Sequence, residues 1–350
     1  MIDAMHQDEK QLSVLRPTQE PKATEHIDSM LAMIQRLIEK NYAYVSSNGD
    51  VYYRVNRFQG YGKLSGRKIE DLLVGARIEK QEIKEDPLDF ALWKSAKPNE
   101  PSWNSPWGDG RPGWHIECSA MSTCCLGNTF DIHGGGPDLI FPHHENEIAQ
   151  SEAATGEQYA NTWMHVGAVR VDGEKMSKSL GNFFTIRQIL EQYSPEVVRY
   201  VLLSSHYRSS INYSEDTLKE AMRALERLYR ALDGLPQVEA KGGDLFVRQF
   251  TQAMNDDFNT PSACAVLFDV VREINRLRLT DIPAAAQLAA HLRVDDKEAV
   301  EIEQLIADRL VARTKKDWNE SDRIRQQLSD MNVLIEDNQT GTTWHYKKNN

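Results

Sequence analysis

Between Gly113 and Tyr213 short helix-like and strand-like pieces take turns, and this alternation restricts the fold more than anything else in the chain. "GWHIECSAMSTCCLG" reads as a helix, with Pro112 near its start and Gly127 at its end. "TFDIH" reads as a short buried strand running into "GGGPD", and a second helix follows from about Phe141. "WMHVGAVRVDG" reads as one strand, and "EKMSKSLGN" as a polar loop before a helix starting near Thr185. Elements of this length in this order fit a parallel α/β sheet, whose ligands are held by loops at the carboxyl ends of the strands.

The flanking regions have other rhythms. Before residue 113, "TEHIDSMLAMIQRLIEKNYAYV" puts Ile27, Met30, Leu31, Ile34, Leu37 and Ile38 on one helical face, and "GDVYYRV" is a short strand. From Arg57 to Pro112, Gly, Pro and Trp break the pattern, as in "EPSWNSPWGDGRPGW". Aromatics in that number need burial, so this stretch is expected to be ordered and loop-rich, and residues 1–112 are read as an insertion region, helical and then loop-rich. From Ser214 the chain is nearly all helix, opening on a serine cap with acidic residues in the first turn. Residues 214–330 are read as a helical bundle and 331–350 as a small β tail, a hairpin around "DNQTGT".

Bulk properties exclude several classes. No apolar run reaches the roughly 20 residues of a membrane span. The acidic, polar start lacks the order of a signal peptide. Four cysteines in 350 residues make no disulfide framework, so a reducing cytoplasm is expected. A net charge of −11 argues against a general nucleic-acid coat but permits a local basic groove.

Three strings carry candidate chemistry. In "FPHHENEIAQ", His143 and Glu147 lie four apart, so on a helix they share a face, and Cys118 on the preceding helix is a third candidate. All three types are zinc ligands. A helix-surface His–Glu pair and a buried, inert Cys remain the alternatives, and the run is not HExxH. In "HGGGPDL" the glycines allow close approach to the backbone, and Asp138 could accept ribose hydroxyls; a tight strand–helix turn explains them equally. In "KMSKS", Lys175 and Lys178 could neutralise a polyphosphate as charge builds on leaving pyrophosphate, with a solvated loop as the alternative.

Taken together, "PGWHIECSAM", "DIHGGGPDLIFPHHENEIAQS", "WMHVGAVRVDGEKMSKSLGNF", "DDFNTPSACAVLFDVVREINRL" and the closing "GTTWH" resemble the cysteinyl-tRNA synthetases, class I aminoacyl-tRNA synthetases of bacterial type. The resemblance implies a Rossmann-type core, of which residues 113–213 would be the C-terminal half. It implies ATP-dependent activation of L-cysteine to cysteinyl-adenylate and transfer to tRNA(Cys). By position, Cys118, His143 and Glu147 match three of four zinc ligands; Trp114 matches a residue of the substrate pocket. His133 and Asp138 match the nucleotide-facing loop, and Lys175 and Lys178 the KMSKS lysines, with Lys178 the main phosphate ligand. Zinc would be the resident metal, and magnesium would accompany ATP.

The same resemblance sets further expectations. The family carries its fourth zinc ligand, a cysteine, and a HIGH-type motif ahead of the region matched here, and no His-x-Gly-His string occurs in this chain. A truncated form is therefore expected, acting with a separate N-terminal part or inactive alone, with zinc held by three side chains. A shortened connection is expected after Arg293, and a monomer is the default. The alternatives are a non-catalytic tRNA-binding remnant, using basic residues such as Arg208, Arg227, Arg230, Lys315 and Lys316, and a cysteine ligase acting on an amino sugar.

Overall fold

In the computed structural model the chain forms two compact units: residues 1–227 with 249–265, and residues 228–248 with 266–350. The structure describes residues 1–69, 83–171, 173–176, 181, 183–293, 297–315, 317–331, 333–338 and 341–346. The first unit opens with helices α1 (Ile2–Gln11) and α2 (Ile27–Glu39). Strands β1 (Ala43–Val45), β2 (Val51–Tyr53), β3 (Phe90–Ser95) and β4 (Gly110–Pro112) then build a four-stranded antiparallel sheet in the order β1-β2-β3-β4.

Helix α2 buries Ile27, Met30, Met33, Ile34 and Leu37. Leu31 and Ile38 lie at the edge of the same cluster, half-buried. Its face is the one the spacing indicates, widened by Met33. That cluster continues through Val51, Tyr53, Leu92 and Trp93 of the sheet into Ile116 and Ala120 of α3 (Trp114–Leu126) and Ala149, Ala153 and Ala154 of α4 (Glu145–Thr155). The loop-rich segment buries its aromatics here, Trp93 fully, with Trp103 and Trp107 packed against it. One apolar core therefore runs across residues 112 and 113. Gly113 makes the close passage possible: a Cβ there would stand 2.0 Å from the Ala91 carbonyl oxygen.

Helix α3 ends at Gly127, as its sequence indicates. Strand β5 (Phe130–Gly135) pairs in parallel with β6 (Ala160–His165), aligning His133 with Trp163 and Gly135 with His165. Two sequence expectations are corrected here. Helix α4 starts at Glu145 rather than near Phe141, because Ile140–His144 is a kinked turn with Phe141 extended at φ −139° and ψ 130°. The stretch "WMHVGAVRVDG" is not one strand but breaks after His165, resuming as β7 (Val169–Val171). The break falls where the Gly167 N–H donates to the Tyr207 carbonyl at 2.7 Å and its backbone passes against Ser209.

Strand β7 pairs antiparallel with β8 (Glu174–Lys175) and parallel with β9 (Ile211–Tyr213). Between them lie α5 (Ile186–Leu190), capped by Thr185 in a reciprocal box with Gln188, and α6 (Pro195–Leu203), capped by Ser194. Helix α7 (Glu215–Leu232) starts at Ser214, whose hydroxyl accepts the Thr217 N–H at 3.2 Å. Next come α8 (Asp244–Asn255) and α9 (Thr260–Leu277).

In the second unit, α10 (Ile282–Ala289) buries Ala285, Ala286, Leu288 and Ala289 against Val270, Val271 and Ile274. Helices α11 (Lys297–Thr314) and α12 (Trp318–Asp330) join Val333 around Ile302, Ile324 and Leu328. The tail is the expected hairpin, β10 (Val333–Asn338) against β11 (Gly341–Tyr346), closing at Asn338 and Gly341. Among the described residues, no helix is long and apolar enough to cross a membrane.

Candidate metal and substrate site

Helix α4 buries Glu145, Asn146, Glu147, Gln150 and Ser151 along with its apolar residues, so polar groups on every side must find partners within the protein. Most do. Glu145 accepts the N–H groups of Gly62 and Ser65, both at 2.9 Å, and Asn146 accepts the Tyr61 hydroxyl at 2.5 Å. The Ser119 hydroxyl of α3 donates to Gln150 at 2.7 Å.

Gln150 Nε2 and Ser151 Oγ lack a partner, and among the charged groups Glu147 is the exception. Its carboxylate is fully buried, and neither oxygen has an aligned hydrogen-bond donor. Two imidazoles nevertheless stand beside it: His143 Nε2 is 2.7 Å from Oε1, and His133 Nε2 is 2.9 Å from Oε2. They lie off the line a shared proton needs. Burial raises the Glu147 pKa, but the two imidazoles outweigh it and hold the group down to about 2. It is a buried anion facing ring nitrogens, and Cys118 completes the group. Ligand atoms of Cys118, His143 and Glu147 all lie within 4.8 Å of one another.

The donor set fits a zinc ion. At zinc's usual bond lengths tetrahedral ligand atoms stand roughly 3.3–3.8 Å apart, inside the observed spread. Burial, first, and then the Glu147 charge push the Cys118 thiol up to about 12, so it stays protonated unless a cation offsets that field. The uncompensated Glu147 oxygens are what such a cation would satisfy. A second trio, His133, His144 and Glu147, meets the same spacing and shares the carboxylate, which makes Glu147 the hub.

The surrounding rings fix the orientation. His115 Nδ1 is 2.8 Å from His143 Nδ1, so one ring donates to the other and leaves His143 Nε2 directed at Glu147. Burial, reinforced by His143, pushes His115 down to about 4, which keeps it neutral. His144 Nδ1 pairs with His165 Nε2 at 2.9 Å. Burial above all lowers His144 to about 4; it also lowers His165, with His133 and Arg208 adding to the effect. Trp114 covers His143 with its ring centroid at 4.4 Å and is itself 59% exposed. One apolar ring thus lies over His143 on the solvent side.

Of the residues singled out in the sequence, Cys118, His143, Glu147 and Trp114 come together. His133 and Asp138 separate: His133 turns inward onto Glu147, whereas Asp138 is exposed in the turn after β5. Within "HGGG", Gly135 is required by the His144 ring, since a Cβ there would lie 2.7 Å from its Cε1. Lys175 closes β8 opposite Arg170, and Lys178 lies outside the described residues. Cys124 is exposed and Cys125 half-buried. His115 and His165 escaped sequence reasoning. His115 had a local signal, three residues before Cys118 on one helix face, but His165 reaches His144 only through the β5–β6 register.

Comparisons with known proteins agree along the whole chain. Residues 1–223 match the family model of the class I (C) tRNA synthetase catalytic domain, residues 249–294 a DALR domain, and residues 295–344 a cysteinyl-tRNA ligase anticodon binding domain. A cysteine–tRNA ligase of Azotobacter vinelandii is 67% identical over 365 residues, covering 98% of this chain and 79% of that protein. One from Stutzerimonas stutzeri is 66% identical over the same span. The aligned span is longer than the chain, so these relatives hold internal residues it lacks. Among solved structures, Mycobacterium tuberculosis methionyl-tRNA synthetase in complex with methionyl-adenylate shares the fold. Its TM-score is 0.53 at 13% identity, over 82% of this chain and 74% of that one.

Proposed function

Because the chain belongs to the cysteine–tRNA ligase family, we propose that it serves the ATP-dependent activation of L-cysteine and its transfer to tRNA(Cys) in the cytoplasm, with Cys118, His143 and Glu147 selecting the thiol. The observation that carries the selection step is the buried Glu147 carboxylate, with two oxygens lacking aligned donors beside a thiol and two imidazoles. A zinc ion there, when bound, supplies a soft Lewis acid for a thiolate, which serine's hydroxyl cannot match. That difference removes the need to sieve substrates by size alone.

The chain's own residues have separate tasks. His115 holds the His143 ring, Trp114 excludes water from one side, and Glu147 offsets positive charge gathered at the site. Lys175 and Lys178 are assigned to the phosphates of ATP, with magnesium alongside, and Asp138 to the nucleoside. His133 is assigned to the support of Glu147 rather than to the nucleotide, on its 2.9 Å contact. The amino-sugar reading is set aside because the chain extends through DALR and anticodon-binding modules.

The test is metal content together with ligand binding. The purified chain should retain about one zinc per molecule, and Cys118→Ser should lose it while staying folded by circular dichroism. The zinc-loaded chain should bind cysteine and not serine in calorimetry. A folded chain that holds no zinc, or binds both amino acids alike, would overturn the reading.

A further inference from the structure

The motif "NDDFN" plays no part in the site above, yet it holds the one pair of consecutive left-handed non-glycine residues among the described residues. Asp257 and Phe258 are consecutive non-glycine residues in the left-handed region, at φ +52° and +53°, in the turn between α8 and α9. Such conformations are unfavourable for L-residues and persist only where the surroundings hold them. Backbone bonds close the turn, from the Phe258 N–H to Met254 and from the Asn259 N–H to Ala253, both at 3.1 Å, and side chains hold its surface. The Tyr207 hydroxyl donates to Asp257 Oδ1 at 2.7 Å, and Arg208 donates through Nε to Oδ2 at 2.5 Å and through Nη2 to Oδ1 at 3.3 Å. His206 Nε2 stands 3.9 Å from Oδ2. Three successive side chains converge on one carboxylate.

Stability alone does not account for this. Asp257 is exposed, as is Arg208, and exposed ion pairs contribute little. What the clamp does is fix a turn with two further attachments. The Tyr207 carbonyl accepts the Gly167 N–H at 2.7 Å, and the Ile211 N–H donates to Ala168 at 3.0 Å, where β9 joins β7. From β9, the Asn212 side chain accepts the Gly173 N–H at 2.7 Å and so holds the turn that leads into β8 and Lys175. A continuous set of hydrogen bonds thus runs from Asp257 to the strand bearing the first lysine of "KMSKS".

We propose that Asp257 is a positioning residue, which through Tyr207 and Arg208 sets the placement of the β7–β8 pair and hence of Lys175. The proposal rests on the assignment of Lys175 to the phosphates of ATP, and two independent readouts separate the two ideas.

The first is amide hydrogen exchange on the zinc-loaded full chain. Asp257→Ala should speed exchange of the 169–175 segment about tenfold and leave the 130–135 strand unchanged. Tyr207→Phe should have a smaller effect in the same segment, and Asp257→Asn, which keeps one acceptor oxygen but turns an NH2 toward the other donor, should fall between the unmutated chain and Asp257→Ala. Unchanged exchange in 169–175, or equal acceleration in both segments, would overturn the proposal. The second readout is equilibrium binding of ATP and of cysteine. Asp257→Ala should weaken ATP about tenfold with cysteine binding unaltered; faster exchange with unaltered ATP affinity would also overturn it. If the unmutated chain binds no ATP, the phosphate assignment of Lys175 fails, and with it the functional part of the proposal. The exchange experiment still decides whether the clamp holds the strands.

Discussion

Glu145 and Glu147 are two residues apart on α4 and equally buried, yet the structure gives them different work, and Glu145→Gln exposes the difference. Each Glu145 oxygen accepts one backbone N–H at 2.9 Å, from Gly62 and from Ser65. A glutamine can present one oxygen and must turn an NH2 group toward the other donor. The surviving bond loses its charge assistance, worth about 1 kcal/mol. The other is lost and strands a backbone N–H, at about 1–3 kcal/mol depending on whether water reaches it. The Ser65 N–H is only part-buried, so the amide oxygen should take Gly62 and leave Ser65 to solvent. The expected total is then about 2–3 kcal/mol. For a unit of this size that corresponds to a fall in Tm of roughly 5–10 °C. Urea unfolding followed by circular dichroism measures the first quantity and calorimetry the second. Zinc content should be unchanged, because the Glu145 bonds involve none of Cys118, His143 and Glu147. A loss below about 0.5 kcal/mol would mean that the 62–65 loop is not held by this carboxylate, and loss of zinc would merge two tasks that the geometry keeps apart.

Two further outcomes follow from single contacts. Gly135→Ala should displace the His144 ring, break its bond to His165 and cost about 1–3 kcal/mol by overpacking, visible in denaturation and in the imidazole NMR signals. Asp50 should shape the acid limb of stability: burial raises its pKa, but the Ser95 N–H, the Asn48 amide and the Tyr52 hydroxyl outweigh this and lower it. Its contribution is therefore full above the ordinary carboxylate range and is lost as pH falls through the lowered folded value, so Asp50→Asn should flatten stability against pH below about 4, as read by urea midpoints.

Much of this was legible in the residues. Pro112 and Gly127 bracket α3, the His143–Glu147 spacing marks one helix face, and the apolar period of α2 names its buried side. These are local rules, written within one or two helical turns. The unreadable part depends on register. The alternation of elements indicates a parallel sheet, but nothing near Trp163 or His165 in sequence gives the register that sets those side chains beside His133 and Gly135, so His165 could not be found. The break in "WMHVGAVRVDG" is set by a backbone 40 residues away, at Tyr207. The polar trio Glu145–Glu147 gives no apolar reason for burial, and only the loop folded over Glu145 and Asn146 shows why they are buried.

The apolar cluster that α2 and the antiparallel sheet share with α3 and α4 has a consequence for engineering. Ile116 and Ala120 are on the helix that carries Cys118, and Ala149 is on the one that carries Glu147. Residues 1–112 therefore cannot be exchanged between homologues as a cassette cut at the compositional boundary. A chimera joined there would pair one parent's Leu37, Val51 and Trp93 with the other parent's α3 and α4, and any mismatch in volume would be passed to the two helices that carry Cys118 and Glu147. Crossovers that preserve the site should fall no earlier than His165, because Tyr159 and Ala160 still pack on Phe130 and Ile148, β6 pairs with β5, and His165 bonds to His144.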